Sequence, residues 1–460
     1  MNARTLVAGL LALGAALSAA ARAEGTTPAA HAAETPATTP SVVIVVFDAL
    51  RPDHLGAYGY RTRPTSPTFD RLAEESVLFA TARSSAPYTL ASVATILTGR
   101  PPDEHTLTTF ERALPAEVPT LPRLLAPAGY RSVVASRSGI LRGFGIEDDF
   151  ELRFVDPKLT GDARAFRRAW KEALTTLASG ERPWLAYLHF FPPHAPYRPP
   201  KGFALPFELP SAAGVSGAVA FLQSLDRGEV KLDDAGREAL LARYDANIRV
   251  ADHELDDLLA YLRGLEVLER VWLVVTSDHG EAFGEHGRFE HNSTVYDEMV
   301  RVPLLVRPPG GLAKGIRVEE PVGLVDLAPT VLTWASQPVP TTFAGRMWPL
   351  SERARYAART RPVTVRSASP PEWFAITDGD WKYMRPLAWA RGGPEQLYDV
   401  TSDPRERNDV AASRPDLLGR MRTAADRELA LQREHAATTR PLSAMPADTA
   451  DALRALGYVQ

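Results

Sequence analysis

Long apolar runs alternate with amphipathic stretches from residue 41 onward. SVVIVVF at 41–47, WLAYLHF at 184–190 and VWLVVT at 271–276 are apolar at almost every position. Such runs are typical of strands that are covered on both faces of a parallel sheet. Helical periodicity marks the stretches 67–76, 91–97, 121–128 and 242–263. The alternation predicts an α/β fold with a large mixed, mostly parallel sheet flanked by helices.

The pattern changes toward the C-terminus, where shorter segments replace the long apolar runs. FAITDGDWKYM and EQLYDV predict two strands of an antiparallel sheet, and SDPRERNDV predicts the turn and helix start that follow them. A helix is expected near 414–435, and the tail ADTADALRALGYVQ should pack its leucines and Tyr458 against the domain. We therefore predict a catalytic domain over 41–340 and a smaller C-terminal antiparallel-sheet domain with a helix over 341–460.

The first 40 residues carry the pattern of an export signal and a linker. MNAR precedes the apolar run LVAGLLALGAALSAA, and Ala21-Arg22-Ala23 offers small residues at the cleavage positions. The run is short and rich in alanine for a membrane span, so residues 1–23 are predicted to be a cleaved signal peptide, with an uncleaved anchor helix as the alternative. Residues 24–40 predict a disordered linker. No later segment has the length of a span, so we expect a periplasmic or secreted protein.

Charge and cysteine content narrow the class of protein further. The chain has 52 Lys and Arg against 56 Asp and Glu, a net charge of -4 over 460 residues, which indicates no general preference for nucleic acid. Exported proteins often carry disulfides, but this chain has no cysteine. Its stability is therefore expected to come from core packing, with help from a bound metal.

Acidic and imidazole side chains follow each of the three apolar strands. Asp48 ends the first, His189 and His194 lie near the end of the second, and Asp278 and His279 follow the third. Open sheets of this kind gather their ligands at the carboxyl edge. Read singly, each of these residues could be a cap or a surface turn. Together they indicate one site at this edge of the sheet, and two carboxylates with an imidazole would suit a divalent metal ion such as Ca, Mg, Mn or Zn.

Thr89 occupies the middle of APYTLASVATILTGR at 86–100, directly before a helical run that Thr98 and Gly99 close. The free N–H groups and the dipole at a helix N-terminus favour an anion, and a tetrahedral oxyanion would be stabilised there. A plain N-cap is the alternative, because threonine is a common cap.

Seven strings in order, from about residue 42 to residue 410, resemble the sulfatase branch of the alkaline phosphatase superfamily. They are FDALRPDHLGAYGY, PTFDRLAEESVLFATARSSAP, TLASVATILTGRPPDEH, HFFPPHAPYRPP, YDANIRVADHELDDLL, SDHGEAFGEHGRFEH with VYDEMVRVPLLVRPPG, and WKYMR with EQLYDVTSDPRERNDV. The resemblance implies an alkaline phosphatase-like fold and a metal-dependent ester hydrolase. It also implies a small-molecule, glycan or lipid ester as the substrate.

The resemblance implies a role for several individual residues. Asp48, Asp278 and His279 match positions that hold a divalent metal, and Thr89 matches the nucleophile that completes its shell. His194, in PHAPY, matches a histidine that hydrogen-bonds the ester group, with a structural loop histidine as the alternative.

Two further residues lie near positions at which the family carries lysines. His291 is the candidate general acid, and no lysine occurs between Lys231 and Lys314 to replace it. Arg137 is a candidate for binding the substrate anion, with a solvated surface arginine as the alternative. The remaining histidines of the motifs, which are expected to support the shell or to pack structurally, are His105, His189 and His286.

Thr89 also marks a departure from the family pattern. Sulfatases with an oxidised nucleophile read C/S-x-P-S-R, whereas this chain reads TLASV at 89–93. Oxidation of a threonine would give a ketone rather than an aldehyde, so formylglycine is not expected. An aldehyde hydrate expels sulfate by internal elimination, which a threonine ester cannot do, whereas water can hydrolyse a phosphothreonine at phosphorus. The nucleophile thus favours a phosphoester or phosphonate substrate, and the family resemblance favours a sulfate ester.

These arguments predict an exported metal-dependent hydrolase that uses Thr89 on phosphoesters, phosphonates or sulfate esters. One alternative is a phosphoryl-group transferase of envelope lipids or glycans, although such enzymes usually carry several membrane helices. A sulfatase of sulfated glycans is another. A non-catalytic glycan-binding member is the third, and the retention of all four metal-shell positions argues against it.

Overall fold

The computed structural model describes residues 39–159, 161–311, 315–348, 350, 362–387 and 395–455. The predicted signal peptide, the linker up to residue 38 and the last residues of the tail, 456–460, lie outside the described residues. Across the described ranges, each helix is too short or too polar to cross a bilayer.

A sheet of eight strands forms the centre of the protein, in the order β13-β2-β12-β8-β1-β7-β5-β6. Strand β12 runs antiparallel to its neighbours β2 and β8, and the other neighbouring pairs are parallel. The predicted large mixed, mostly parallel sheet is confirmed. In chain order the strands are β1 (Ser41–Phe47), β2 (Val77–Phe79), β3 (Ala82–Arg83), β4 (Arg112–Ala113), β5 (Arg131–Ser136), β6 (Leu152–Phe154), β7 (Trp184–Phe190), β8 (Val271–Ser277), β9 (Ala282–Phe283), β10 (Phe289–Glu290), β11 (Arg301–Val302), β12 (Leu304–Arg307), β13 (Arg317–Val318), β14 (Val322–Gly323), β15 (Val363–Arg366), β16 (Trp373–Asp378), β17 (Trp381–Pro386), β18 (Gln396–Asp399) and β19 (Arg440–Pro441).

Helices cover both faces of this sheet. The α-helices are α1 (Pro67–Glu74), α2 (Thr89–Thr98), α3 (Pro102–His105), α4 (Leu121–Leu125), α5 (Ala163–Ala178), α6 (Val219–Asp226), α7 (Asp234–Gly264), α8 (Asp297–Val300), α9 (Leu327–Trp334), α10 (Pro415–Glu434) and α11 (Ala447–Ala455). Alternate residues of β1 pack into two separate cores, one shared with α2, α4 and α9 and the other with α1, α5 and α7. This double burial explains why β1 is apolar at every position after Ser41.

The bounds of three helices differ from the sequence prediction. The helix expected over 242–263 begins earlier, as α7, because the Asp233 side chain accepts a hydrogen bond from the Gly236 N–H at 2.8 Å and caps its first turn. The helix expected over 121–128 is α4 followed by a 3₁₀ turn at Ala126–Ala128. The stretch expected at 91–97 is α2, which begins at Thr89 itself.

The C-terminal part forms an antiparallel sheet in the order β15-β16-β17-β18, which confirms the predicted smaller sheet. FAITDGDWKYM, which the sequence analysis takes as one strand, forms two, because the chain turns at Gly379 with a φ of 57° that favours glycine. One face of the sheet packs against α10. The other packs against the segment that contains Val295, Tyr296 and Met299. In the tail, Leu453 of α11 is buried in the core that α2 shares.

Candidate metal centre and active site

The carboxyl ends of β1 and β8 bring two carboxylates together. The two parallel strands pair Phe47 with Ser277, so Asp48 and Asp278 follow at the same edge of the sheet. The Ala49 N–H donates to Asp278 Oδ1 at 3.3 Å and links the two strand ends. Both carboxylates are fully buried.

His279 directs its Nε2 atom at the same two carboxylates. This nitrogen lies 3.5 Å from Asp48 Oδ1 and 3.6 Å from Asp278 Oδ2. The Nδ1 atom lies 2.8 Å from the Gly280 carbonyl oxygen, which can only accept a hydrogen bond. Nδ1 therefore carries a proton, and Nε2 is the ring nitrogen that faces the carboxylates.

The carboxylate oxygens of this group need positive charge. Both oxygens of Asp48 and Oδ2 of Asp278 are buried without a hydrogen-bond partner among the described residues. Burial, and after it the charge of Asp278, raises the pKa of Asp48 to about 7. Burial acts on Asp278 in the same direction, but His279 and His189 outweigh it, and the pKa of Asp278 is lowered. Asp48, Asp278 and His279 thus form a group whose atoms fit a divalent metal ion.

Thr89 is the first residue of α2, and its hydroxyl contacts this group. Oγ1 lies 3.2 Å from His279 Nε2, and the residue is 1% exposed. Tyr88 is the N-cap and makes no side-chain capping bond, so Thr89 is not the cap of this helix. One turn into α2, the Ser92 hydroxyl donates to the Asp278 carbonyl oxygen at 2.6 Å. That bond fixes the start of α2 against the end of β8.

Two further histidines stand beside the group. The His291 ring stacks on His279 with centroids 4.4 Å apart, and the His194 ring meets His291 at 5.1 Å. His291 Nδ1 lies 3.1 Å from Glu281 Oε1, and the Tyr197 hydroxyl donates to Glu281 Oε2 at 2.8 Å. Glu281 was not predicted as a site residue. Its position two residues after His279 is a signal that could have identified it as one.

The two flanking histidines are neutral near pH 7 in the substrate-free site. Burial lowers the pKa of His291 to about 4 and also lowers the pKa of His194. His194 Nδ1 lies 2.6 Å from the Ala195 carbonyl oxygen, so in the neutral ring the proton is on Nδ1. Either ring must take up a proton before its Nε2 can donate to an ester oxygen.

The other residues singled out from the sequence have different surroundings. The Arg137 guanidinium contacts Glu254 Oε1 at 3.2 Å, and a role in binding the substrate anion stays a prediction. His105 Nε2 lies 3.2 Å from both Thr95 Oγ1 and the Ala91 carbonyl oxygen. His286 stacks on Tyr296, whereas His189 lies at the carboxylates themselves, 3.5 Å from Asp48 Oδ2.

Sequence comparison identifies relatives that match different lengths of this chain. The Delta 4,5-hexuronate-2-O-sulfatase of Bacteroides thetaiotaomicron is 24% identical over 411 residues, which cover 81% of this chain and 84% of the relative. Arylsulfatase K of Homo sapiens is 30% identical over 193 residues, but the match spans only 38% of this chain and 34% of that relative.

Structural comparison finds the same fold in solved enzymes. The structure of BT4656 with its substrate D-glucosamine-2-N,6-O-disulfate matches with a TM-score of 0.68 at 19% identity and covers 86% of this chain and 98% of that one. The phosphonate monoester hydrolase of Agrobacterium radiobacter matches with a TM-score of 0.67 at 19% identity, over 88% and 97% of the two chains.

Two family models match the chain in neighbouring regions. The model described as N-sulphoglucosamine sulphohydrolase, C-terminal, covers residues 284–419. The model of the sulfatase family covers residues 40–337, which is more than half of the chain and includes Thr89 and the group Asp48, Asp278 and His279. The chain therefore belongs to the sulfatase family and is a hydrolase of sulfuric or phosphoric esters.

Proposed function

We propose that this protein is an exported, metal-dependent hydrolase that cleaves phosphoester or phosphonate bonds with Thr89 as the nucleophile. The observation that carries the proposal is the buried Thr89 hydroxyl, 3.2 Å from His279 Nε2 at the start of α2. A divalent cation held by Asp48, Asp278 and His279 would lower the pKa of that hydroxyl and polarise the ester oxygens. The N-terminal N–H groups of α2 would stabilise negative charge at the reacting centre.

The reaction is proposed to proceed in two displacements. In the first, the Thr89 Oγ1–P bond forms, the ester P–O bond breaks, and the Thr89 proton leaves to solvent. The departing oxygen takes a proton from His291. Burial holds the pKa of His291 near 4 in the substrate-free site, so His291 must gain this proton when the anionic substrate binds. In the second, water attacks phosphorus, the Oγ1–P bond breaks, and phosphate or phosphonate and free Thr89 result.

The identity of the nucleophile favours phosphorus over sulfur. Solved structures with this fold include BT4656 with a disulfated glucosamine substrate and a phosphonate monoester hydrolase, so the fold is compatible with either class of substrate. A sulfated threonine has no internal route to release sulfate, whereas a phosphothreonine can be hydrolysed directly. We therefore propose that phosphoesters react faster than the matching sulfate esters.

A sulfatase of glycans is the second candidate. The match to the Delta 4,5-hexuronate-2-O-sulfatase covers 84% of that relative, whose name describes a sulfated sugar as the substrate. In this alternative the alcohol part of the ester is a sugar, and Thr89 would require a different route for sulfate release.

The central experiment compares esters of one alcohol and looks for the covalent adduct. Purified protein, loaded in turn with Zn²⁺, Mn²⁺, Mg²⁺ and Ca²⁺, is assayed on an aryl phosphate, phosphonate and sulfate. Rapid quenching with a slow phosphate ester, followed by mass spectrometry, should locate one phosphoryl group on Thr89. Thr89→Ala should form no adduct and Thr89→Ser should retain part of the turnover. Thr95→Val removes a buried hydroxyl six residues further along α2 and should leave both readouts unchanged.

Faster cleavage of the sulfate, together with no adduct on residues 84–100, would refute the phosphoester proposal and favour the glycan sulfatase. An adduct on a different residue would refute the role of Thr89.

Export is a separate part of the proposal. It is supported by the apolar run and by Ala21-Arg22-Ala23 at the cleavage positions. N-terminal sequencing of the protein from the periplasm or the medium should give Glu24 as the first residue. Recovery of Met1 in a membrane fraction would contradict it.

A further inference from the structure

We propose that His189 binds the same cation as His279, which gives the site two imidazole and two carboxylate ligands beside Thr89. This inference rests on the proposed function in one respect only, the binding of a cation at the ends of β1 and β8. The observation behind it is the position of His189 Nε2 near the end of β7. His189 is fully buried, and its Nε2 atom has no hydrogen-bond partner among the described residues.

His189 lies at nearly the same distances from the carboxylates as His279 does. Its Nε2 is 3.5 Å from Asp48 Oδ2 and 3.9 Å from Asp278 Oδ2. The corresponding distances of His279 Nε2, to Asp48 Oδ1 and Asp278 Oδ2, are 3.5 Å and 3.6 Å. All four are too long for an N–H···O hydrogen bond. Neighbouring ligands of one ion lie about 3.0 to 3.4 Å apart when metal–ligand bonds are about 2.1 Å. Asp48, Asp278 and His279 already form a group of mutually close ligand atoms, and the His189 ring would join them by moving toward the carboxylates.

The sheet directs the His189 side chain to this place. The register of β1 and β7 pairs His189 with Val46, two residues before Asp48. Side chains two residues apart share one face of a strand, so the His189 ring and the Asp48 carboxylate project to the same side of the sheet. His189 Nε2 therefore lies beside the oxygens of Asp48 and Asp278 that also have no hydrogen-bond partner among the described residues.

The second nitrogen of the ring has a partner suited to metal binding. His189 Nδ1 lies 3.3 Å from the Tyr187 hydroxyl. A metal at Nε2 requires the proton on Nδ1, and the Tyr187 oxygen can accept a hydrogen bond from it. His279 meets the same requirement through the Gly280 carbonyl oxygen.

A second imidazole changes the class of metal that the site prefers. Zn²⁺ and Mn²⁺ bind well to mixed imidazole and carboxylate ligands, whereas Ca²⁺ prefers oxygen ligands throughout. With His189 as a ligand, the site favours a transition metal over Ca²⁺. Replacement of His189 by glutamine, which offers an oxygen, should lower the affinity for Zn²⁺ and Mn²⁺ about 100-fold or more and change the affinity for Ca²⁺ much less.

The test counts the nitrogen atoms on the ion and does not depend on turnover. The metal-free protein is loaded with one equivalent of Mn²⁺, and electron spin-echo envelope modulation resolves the ¹⁴N couplings of bound imidazoles. The wild type should show two nitrogens and bind one ion by elemental analysis. His189→Gln and His279→Gln should each show one. His105→Gln, at a buried histidine outside the site, and His194→Gln and His291→Gln, at the flanking rings, should keep two.

One nitrogen in the wild type, unchanged in His189→Gln, would overturn the inference, as would two ions per chain. The wild-type count decides the matter even if His189→Gln fails to fold. An equal loss of Mn²⁺ and Ca²⁺ affinity in a folded His189→Gln would also contradict it, because a residue that only orients Asp48 affects both metals alike. If none of Mn²⁺, Zn²⁺, Mg²⁺ and Ca²⁺ binds, the cation of the proposed function fails as well, whereas binding of Ca²⁺ without Mn²⁺ or Zn²⁺ would overturn this inference alone. A bound ion with one nitrogen leaves that function intact.

Discussion

Two groups of buried charged residues in this protein are built in opposite ways. The candidate metal centre, Asp48, Thr89, Asp278 and His279, brings two carboxylates together. Among the described residues, histidines and no lysine or arginine pair with these carboxylates. The charge cluster, Arg83, Asp297, Lys382 and Glu406, alternates cations and carboxylates. In the charge cluster, Arg83 Nη2 and Lys382 Nζ lie 2.7 Å and 2.8 Å from the oxygens of Asp297, and Lys382 Nζ lies 2.7 Å from Glu406 Oε1.

The pKa values of Asp48 and Asp297 differ in this way, while burial raises the pKa of Glu406 in the charge cluster to about 7. Burial and the charge of Asp278 raise the pKa of Asp48 to about 7. Burial acts on Asp297 too, but Arg83 and Lys382 outweigh it and lower the pKa of that carboxyl. The charge cluster pairs its carboxylates with Arg83 and Lys382 and joins β3, α8 and β17. The carboxylates of the candidate metal centre would be compensated by a bound cation. Burial alone therefore does not mark a functional group. In the candidate metal centre two buried carboxylates lie side by side, and both oxygens of Asp48 have no hydrogen-bond partner among the described residues.

The largest effect is expected from Asp278→Ala. Loss of this carboxylate should release the metal and lower kcat/KM at least about 10⁴-fold, or about 5.5 kcal/mol in transition-state stabilisation. Elemental analysis and kinetics measure the two losses, and circular dichroism should show that the fold survives. Asp256→Ala, at a half-exposed aspartate of α7, is the control. Wild-type metal content in the Asp278 variant would show that the metal is bound elsewhere.

Lys382→Met should act on stability rather than on metal binding. The change leaves Asp297 and Glu406 buried with Arg83 as the remaining cation of the cluster, and removing one partner of a buried ion pair costs about 3–5 kcal/mol. Denaturant unfolding measures this cost, and the folded variant should bind metal as the wild type does. The double variant Lys382→Met/Glu406→Gln should recover part of the loss. A single variant as stable as the wild type would contradict the contrast with the metal centre.

Asp48→Asn, in the candidate metal centre, should change the free energy of unfolding in the opposite direction to Lys382→Met. Without metal, this variant should be more stable than the wild type above pH 7, because it removes a buried charge that the fold disfavours. A metal ion at a free concentration 100 times its Kd should raise the free energy of unfolding of the wild type by about 2.7 kcal/mol and that of the variant hardly at all. Thermal unfolding with and without metal provides both comparisons. A metal-free Asp48→Asn less stable than the wild type would show that Asp48 is already compensated by the protein.

The smallest effect concerns a histidine whose ring is satisfied by the protein. The Leu107 N–H donates to His105 Nδ1 at 3.1 Å, and burial lowers the pKa of His105 to about 3. The unfolded chain takes up this proton below about pH 6.5, so the contribution of His105 to stability is present above that pH and is lost as the pH falls. At pH 5 the loss is about 2 kcal/mol. Unfolding of wild type and His105→Asn from pH 7 to pH 5 measures it, with His253→Asn at an exposed site as the control. Equal pH slopes in wild type and His105→Asn would refute this assignment.

The sequence predicted much of the sheet and several strand-end groups, but not every contact at the site. The apolar pattern of β1 predicted burial on both faces, and the strand ends predicted that Asp48 and Asp278 would be neighbours, as the β1–β8 register places them. The single strand expected in FAITDGDWKYM was wrong, because the chain turns at Gly379. The Asp378-Gly379 pair between two apolar runs is a hairpin signal that the prediction did not use. The contact of Arg137 with Glu254, which is 117 residues away in sequence, has no local signal.

By itself, the sequence determined the order of elements, the family and the side chains delivered to the carboxyl edge of the sheet. These properties depend on local patterns, because the periodicity of a strand or helix fixes which residues are buried and where the element ends. Only the tertiary structure decided that Thr89 turns its hydroxyl toward His279 instead of capping α2, and that His189 faces the carboxylates while His105 is satisfied within the core. Those choices depend on how distant segments pack, since a ring nitrogen becomes a candidate ligand only where the fold leaves it buried beside unpartnered carboxylates.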